Sequence, residues 1–344
     1  MPEHSSPRPT LRAVGALAGV SHATVSLALR NDPRISPATK RKVFAAARRL
    51  GYRPDPHLAE LMDLLRRGRG RAAPPVIAYV GSVHRVYGAK DSPMARRLFR
   101  GAEARAKELG YRLERFVLGS GDLTEKRLGA ILRARNIRGV LIGPLADDAG
   151  RIQLDWDLLS AVAVGFSVRE PRLHRVANHA SHSLRLALGQ LRAHGRTRWG
   201  IYLREGLDAR VDHAWISTFL HSWQTQHPHA PVLPPLITPR WERSEFQTWF
   251  LRHRPDDVVT IQLNVLGWLQ TLARVPADVA FAHLDWAPEM GDVAGIDQQS
   301  ERVGAAGIEQ VATQLSQHEV GLPAAPKTIY IGSAWHPGAT VAAV

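Results

Sequence analysis

Residues 10–54 read TLRAVGALAGVSHATVSLALRNDPRISPATKRKVFAAARRLGYRP. Thr10 is placed to cap a first helix in which Leu11, Val14, Leu17 and Ala18 recur on one face at helical spacing. Gly19-Val20 breaks that helix. Ser21 caps a second over 22–29, with Val25 and Leu29 pointing inward, and Asn31-Asp32-Pro33 makes a turn. Ser36 followed by Pro37 is an N-cap with proline at the first helical position. A third helix is therefore predicted over 37–50, with Val43, Phe44, Ala47 and Leu50 apolar and Gly51 as its stop. Two short helices joined by a glycine turn and crossed by a third form the helix-turn-helix pattern.

The charge distribution agrees with that pattern. The chain of 344 residues carries a formal net charge of +14, which points to an anionic partner. Residues 1–71 hold fourteen cations against five acids, a net +9, so the remaining 273 residues carry only +5. A GC-rich genome accounts for the excess of Arg over Lys, 39 to 6, but not for the clustering at one end. A basic module on a near-neutral body is the footprint of a nucleic-acid-binding head.

The run Thr10-Leu11, Ala18-Gly19-Val20-Ser21, Thr24-Val25-Ser26, Ser36, Thr39, Val43 and Gly51-Tyr52-Arg53-Pro54 resembles, without a gap, the head of the lactose-repressor (LacI/GalR) family. The resemblance implies a homodimer on a palindromic double-stranded DNA operator, with the second helix in the major groove and a hinge helix in the minor groove. It places His22, Ala23 and Leu27 where the family reads base edges. Thr10, Leu11, Ser21, Thr24, Ser26, Arg30, Arg34, Thr39 and Tyr52 fall at backbone-contacting or flanking positions. Ser21 at a helix N-terminus is suited to capping and to meeting a phosphate, and Arg30 and Arg34 to neutralising phosphates. Ser21 and Thr39 are equally suited to capping or packing alone. Leu27 and Ala23 offer a base no hydrogen bond, which leaves His22 as the polar reader of the three.

Asp55-Pro56 opens a hinge helix over 57–67, with Leu58, Leu61, Met62 and Leu65 on one stripe. Leu61 aligns with the family's minor-groove wedge; an amphipathic dimer contact is the alternative. Residues 66–75 form a basic Gly/Pro linker. The expected organisation is a head over 8–53, hinge and linker over 54–75, and a body over 76–344.

In the body, strand-like and helix-like segments alternate. Strands are expected at 76–80, 111–118, 137–142, 161–166, 199–203, 258–262, 279–284 and 328–331. Helices are expected at 95–109, 124–135, 181–194, 209–224, 241–252, 263–273 and 301–316. The expected fold is an all-α helix-turn-helix head plus a two-lobed α/β body of the periplasmic-binding-protein type, which clamps a small-molecule effector between its lobes.

The family resemblance continues through 275–285, Ile296-x-Gln298 with Gly304, and 139–142. It implies an effector cleft whose usual side chains are mostly replaced. The family's cleft arginine falls at Val211, its asparagine at Ile261, its first-lobe aspartate at Asn178 and a later aromatic at Ser300; Asp285 alone is kept. Without bidentate Arg and its partners, a sugar site of the usual kind is not expected. Trp215 and Trp286 are candidates to line a more apolar cleft or to belong to the core, and Asp285 to cap a turn.

With no cysteine there is no disulfide, thiolate metal site or thiol nucleophile. The His174/His179/His182 and His221/His227/His229 groups lack neighbouring acids, so no metal and no cofactor is expected. No phosphate-loop, dinucleotide or nucleophile-elbow motif occurs, and the chain reads as no enzyme. Asp147-Asp148, Asp256-Asp257 and Asp208/Asp212 read as solvated or capping. No run approaches ~20 apolar residues and no apolar leader opens the chain, so no membrane partner and a cytoplasmic, nucleoid-associated protein are expected. The alternatives are a DNA-binding regulator with a vestigial cleft, and a sugar-binding protein or enzyme on the two-lobed body.

Overall fold

The computed structural model describes residues 11–29, 34–50, 52, 74–83, 92–145 and 150–341, the side chain of Ala23 excepted. The chain forms two compact units, Met1–Ala73 and Pro74–Val344.

In the first unit, α1 (Leu11–Ala18), α2 (His22–Leu29) and α3 (Pro37–Arg49) enclose a small core of Val14, Val25, Ala28, Val43, Ala46 and Ala47. Each start signal becomes a bond. The Thr24 N–H donates to Ser21 Oγ at 3.1 Å, and the Thr39 N–H to Ser36 Oγ at 3.2 Å. Gly19 takes the left-handed conformation at φ 68°, and a Cβ on Gly15 would stand 2.7 Å from the Val20 carbonyl oxygen. The α1–α2 turn therefore closes only over glycine. Within α2 the fully buried inner positions are Val25 and Ala28; Leu29 is half-buried. Of the apolar residues noted in α3, Phe44 is exposed, and the core takes Val43, Ala46 and Ala47.

The second unit has two lobes, each built on one six-stranded sheet. The first sheet runs β11-β5-β4-β3-β1-β2 and is parallel throughout. Its strands are β1 (Val76–Ser82), β2 (Arg112–Leu118), β3 (Gly139–Ile142), β4 (Ser160–Val164), β5 (His174–Asn178) and β11 (Thr328–Ile331). The second runs β12-β10-β9-β8-β6-β7, parallel except for the β10–β12 pair. It comprises β6 (Trp199–Arg204), β7 (Leu236–Thr238), β8 (Asp257–Thr260), β9 (Ala280–His283), β10 (Gly295–Asp297) and β12 (Ala334–His336). Continuous apolar runs such as Gly139–Ile142, buried at every residue, are what a sheet covered on both faces requires.

Helices α4 (Pro93–Glu108) and α5 (Glu125–Ala134) follow strands of the first lobe; α7 (Ala214–Gln226), α8 (Arg243–His253) and α9 (Asn264–Gln270) follow strands of the second. The chain crosses between lobes three times: from β5 into α6 (Ala180–Ala193), from β10 into α10 (Ser300–Gln317), and from β11 to β12. Each crossing helix buries its apolar face in the lobe it enters. Leu184, Leu188 and Leu191 of α6 join the second-lobe core, and Val303, Ile308 and Val311 of α10 join the first. Helices α4 and α10 pack without side chains between them at two points. A Cβ on Gly101 would lie 2.0 Å from the Glu301 carbonyl oxygen, and one on Gly304 2.0 Å from that of Leu98.

The structure differs from the sequence reading at the helix expected over 209–224. A 3-10 turn at Ala209–Val211 is followed by Asp212 and His213, both left-handed at φ 57° and 58°, and only then by α7. Asp208 causes the break. Its Oδ1 accepts the N–H groups of Trp215 at 3.0 Å and Ile216 at 3.1 Å, satisfying donors at the start of α7. Strands β5, β7, β10 and β12 were not expected; three of them are three residues long and β5 begins and ends on polar residues.

Candidate DNA-binding face and interlobe cleft

On α2, Ser21 and His22 are exposed, Thr24, Ser26 and Leu27 are half-buried, and Leu27 is not part of the apolar cluster formed by its neighbours. Val25 and Ala28 turn toward α1 and α3. The helix thus has an inner and an outer side, with His22, Ser26 and Leu27 away from the core. Arg34 is exposed after the turn, and Thr39 is half-buried at the start of α3, its Oγ1 2.9 Å from Ser36 Oγ. Leu11 and Tyr52 pack against the head core. Thr10, Arg30, the hinge with Leu61, and Asp147-Asp148 lie outside the described residues, as does the side chain of Ala23.

Between the two lobes lies a cavity of about 690 Å³. Asn178, Val211, Trp215, Ile261 and Asp285 all line it; Trp286 does not. Trp286 stacks instead on His336 of β12, ring centroids 3.6 Å apart at 18°, and its carbonyl oxygen accepts a bond from Arg97 at 3.2 Å. That ring is held by a strand fifty residues downstream, a partner that local sequence does not show.

Sequence reasoning also missed several residues of the cavity. Phe166 lines it from the first lobe, under the guanidinium of Arg175 at 4.8 Å. Arg175 donates to the carbonyl oxygens of Gly165 and Val168 and so fixes the loop that carries Phe166. Arg210 lines the cavity from the second lobe and donates across it to the Leu145 carbonyl of the first at 3.1 Å. His283, the last residue of β9, also lines it.

The electrostatics converge on Asp285. It is half-buried, and loss of solvation pushes its carboxyl up to about 7; Arg97 opposes the shift and Asp297 adds to it. Arg97 itself is 7% exposed. Its Nε donates to both Glu301 oxygens at 2.8 Å and its Nη2 to Asp297 at 2.9 Å. Burial holds His283 down to about 4, against the opposing pull of the Asp285 and Ile261 backbone.

Elsewhere, Asp256 accepts the N–H groups of Thr197 and Arg198, both at 2.9 Å. Asp257, expected to be solvated or capping, is fully buried and its carboxyl is pushed well up by desolvation. Among the described residues no three His, Cys, Asp or Glu side chains converge on a metal-sized site; His179 Nδ1 accepts the His182 N–H at 3.3 Å. No helix among the described residues is long and apolar enough to cross a membrane.

Residues 10–55 match the profile of bacterial regulatory proteins of the lacI family. The head is thus similar to the DNA-binding domain of that family. It is similar to the HTH-type transcriptional regulator PtxS of Pseudomonas putida, at 25% identity over 327 residues and 91% of each chain. The PtxS of Pseudomonas plecoglossicida is 28% identical over 189 residues, which span 55% of this chain and 52% of that one. Among solved structures, the regulator CelR in complex with cellobiose superposes with a TM-score of 0.57 at 20% identity, over 97% of this chain and 100% of that one. The lac repressor dimer bound to operator and the anti-inducer ONPF gives 0.56 at 18%, over 97% and 99%. At these identities the structural likeness is one of fold: the two-lobed α/β body with a helical head. The matched head is that of a DNA-binding regulator.

Proposed function

We propose that the chain is a dimeric repressor that reads a palindromic operator through α2 and is released or held by a small molecule in the interlobe cleft. It would work in the cytoplasm, where its DNA is. The observation that carries the reading is the two-sidedness of α2, whose inner side is closed by Val25 and Ala28 and whose outer side presents His22, Ser26 and Leu27. Ser21, exposed at the capped N-terminus of α2, stands where a phosphate is favoured. The effector half of the proposal is supported by the cavity itself. A cavity of about 690 Å³, walled by both lobes, has room for a small molecule. Closing or opening such a clamp changes the disposition of the lobes, the standard way a ligand biases this class of fold.

The test is equilibrium binding to selected DNA across salt. If each dimer neutralises ~6–10 phosphates, affinity falls by about 10³–10⁵ between 50 and 200 mM salt. A flat response, or equal binding by residues 76–344 alone, contradicts the proposal.

A further inference from the structure

Apolar side chains line the interlobe cavity from both lobes and keep part of their surface open. Met94 and Phe166 of the first lobe and Val211, Ile261 and Met290 of the second line it and are each half-buried. Leu263 lines it too and is exposed. Covering such surface with an apolar partner is favourable in proportion to the area removed from water.

Several polar side chains of the same wall are committed to the protein. Ser92 Oγ caps α4 by accepting the Ala95 N–H at 3.2 Å, and Ser167 Oγ accepts the Leu145 N–H at 3.0 Å. Asn178 Nδ2 donates to Ser183 Oγ at 3.4 Å, Gln298 Nε2 to the Leu284 carbonyl at 2.6 Å, and Arg210 to the Leu145 carbonyl at 3.1 Å. These bonds hold the start of α4, the segment after β3 and the segment after β10. A polyol brings a donor and an acceptor at every hydroxyl, and each one buried without a partner opposes binding. To satisfy many of them, the wall would have to surrender bonds that shape it. Gln262 follows β8 and Asp285 follows β9, its neighbour in the sheet, so these two give the second-lobe wall a polar end.

We infer that the cleft takes a small, mainly apolar molecule with one or two polar groups, such as a phenol or an alicyclic alcohol, rather than a polyol. Its apolar body covers Phe166, Val211 and Ile261, and its polar group meets Gln262 and Asp285. The inference rests on the reading of the cleft as the effector site.

The test uses the full-length chain and two pairs of compounds in calorimetry, cyclohexanol against inositol and 2-naphthol against glucose. The first pair keeps the ring and changes only the number of hydroxyls. At least one apolar compound is expected to bind, more tightly than its polyol and with a negative heat-capacity change. On the unmodified protein, the Val211 or Ile261 methyl resonances should move with it in a ¹³C spectrum. Val211→Thr keeps the shape and replaces a methyl by a hydroxyl, and is expected to weaken that compound roughly 10-fold. Tighter binding of inositol or glucose overturns the ligand class, as does failure of both apolar compounds to bind. Binding that leaves those methyl resonances in place and is unchanged in Val211→Thr also overturns it. Affinity for selected DNA, measured with and without each compound, separates the two readings. A polyol that alters it leaves the effector cleft standing without this ligand class. An apolar compound that binds the cleft without altering it keeps the ligand class and removes the effector role.

Discussion

Arg97 of α4 donates through Nε to both carboxylate oxygens of Glu301 on α10 at 2.8 Å, directly beside the point where Gly101 meets the Glu301 backbone. Its other bonds reach Asp297 and the Trp286 carbonyl, on the stretch that enters and leaves β10. One guanidinium thus ties a first-lobe helix to a crossover and to the second lobe. Arg97→Ala leaves those acceptors without their buried cation and should cost about 3–5 kcal/mol in chemical denaturation. It should also raise the Asp285 pKa above its present value, since Arg97 is the group that holds it down. A loss below about 1 kcal/mol, with Asp285 unmoved in a ¹³C-detected titration, would show the cluster to be ornamental.

The two shifted groups in the cleft should leave opposite marks on stability. Asp285 has a raised folded pKa, so its contribution is fully present below about 4 and is lost as pH rises through about 7. His283 has a depressed one, so its contribution is present above about 6.5 and is lost as pH falls through about 4. Relative to wild type, Asp285→Asn should therefore gain as pH rises from 4 to 8, by on the order of 3–4 kcal/mol. His283→Phe should gain as pH falls over 6.5 to 4. Parallel pH profiles for wild type and Asp285→Asn would refute the assignment.

How far the sequence revealed these features depended on the range of the interactions involved. Head elements are fixed by neighbours: Ser21 and Ser36 cap within three residues, and Pro37 marks its own helix start. Those were legible. The break before α7 depends on a carboxylate at Asp208 competing seven residues ahead, which apolar periodicity does not register. Trp286 read as a candidate for either the cleft or the core, and its stacking on His336, which decides between them, is a tertiary choice. His283 was overlooked because it ends a strand, and the turn at Leu284-Asp285 that follows brings both residues to the cavity. Arg97 sat among the apolar positions Met94, Leu98 and Gly101 of an amphipathic helix, a misplaced charge that signals a partner elsewhere.

Ser36→Ala removes the Oγ that accepts the Thr39 N–H. The head should lose about 1 kcal/mol, the usual worth of a cap, visible as a lower melting midpoint for the first unit. Because the bond is exposed and local, DNA specificity should not change.

Leu27→Arg should alter base preference without unfolding the head, since Val25 and Ala28 occupy the inner side and Leu27 lies outside the core cluster. An arginine there gains a bidentate partner in guanine, worth about 1–3 kcal/mol of discrimination. Collapse of helical signal in this variant would mean that Leu27 is core.

Selection of bound sites from a random DNA pool by the full-length chain bears most directly on the central claim. The account predicts enrichment of one palindromic sequence, whose outer half-site positions change with Leu27→Arg and lose information with His22→Ala. Recovery of no enriched sequence, or of one indifferent to both substitutions, would contradict it.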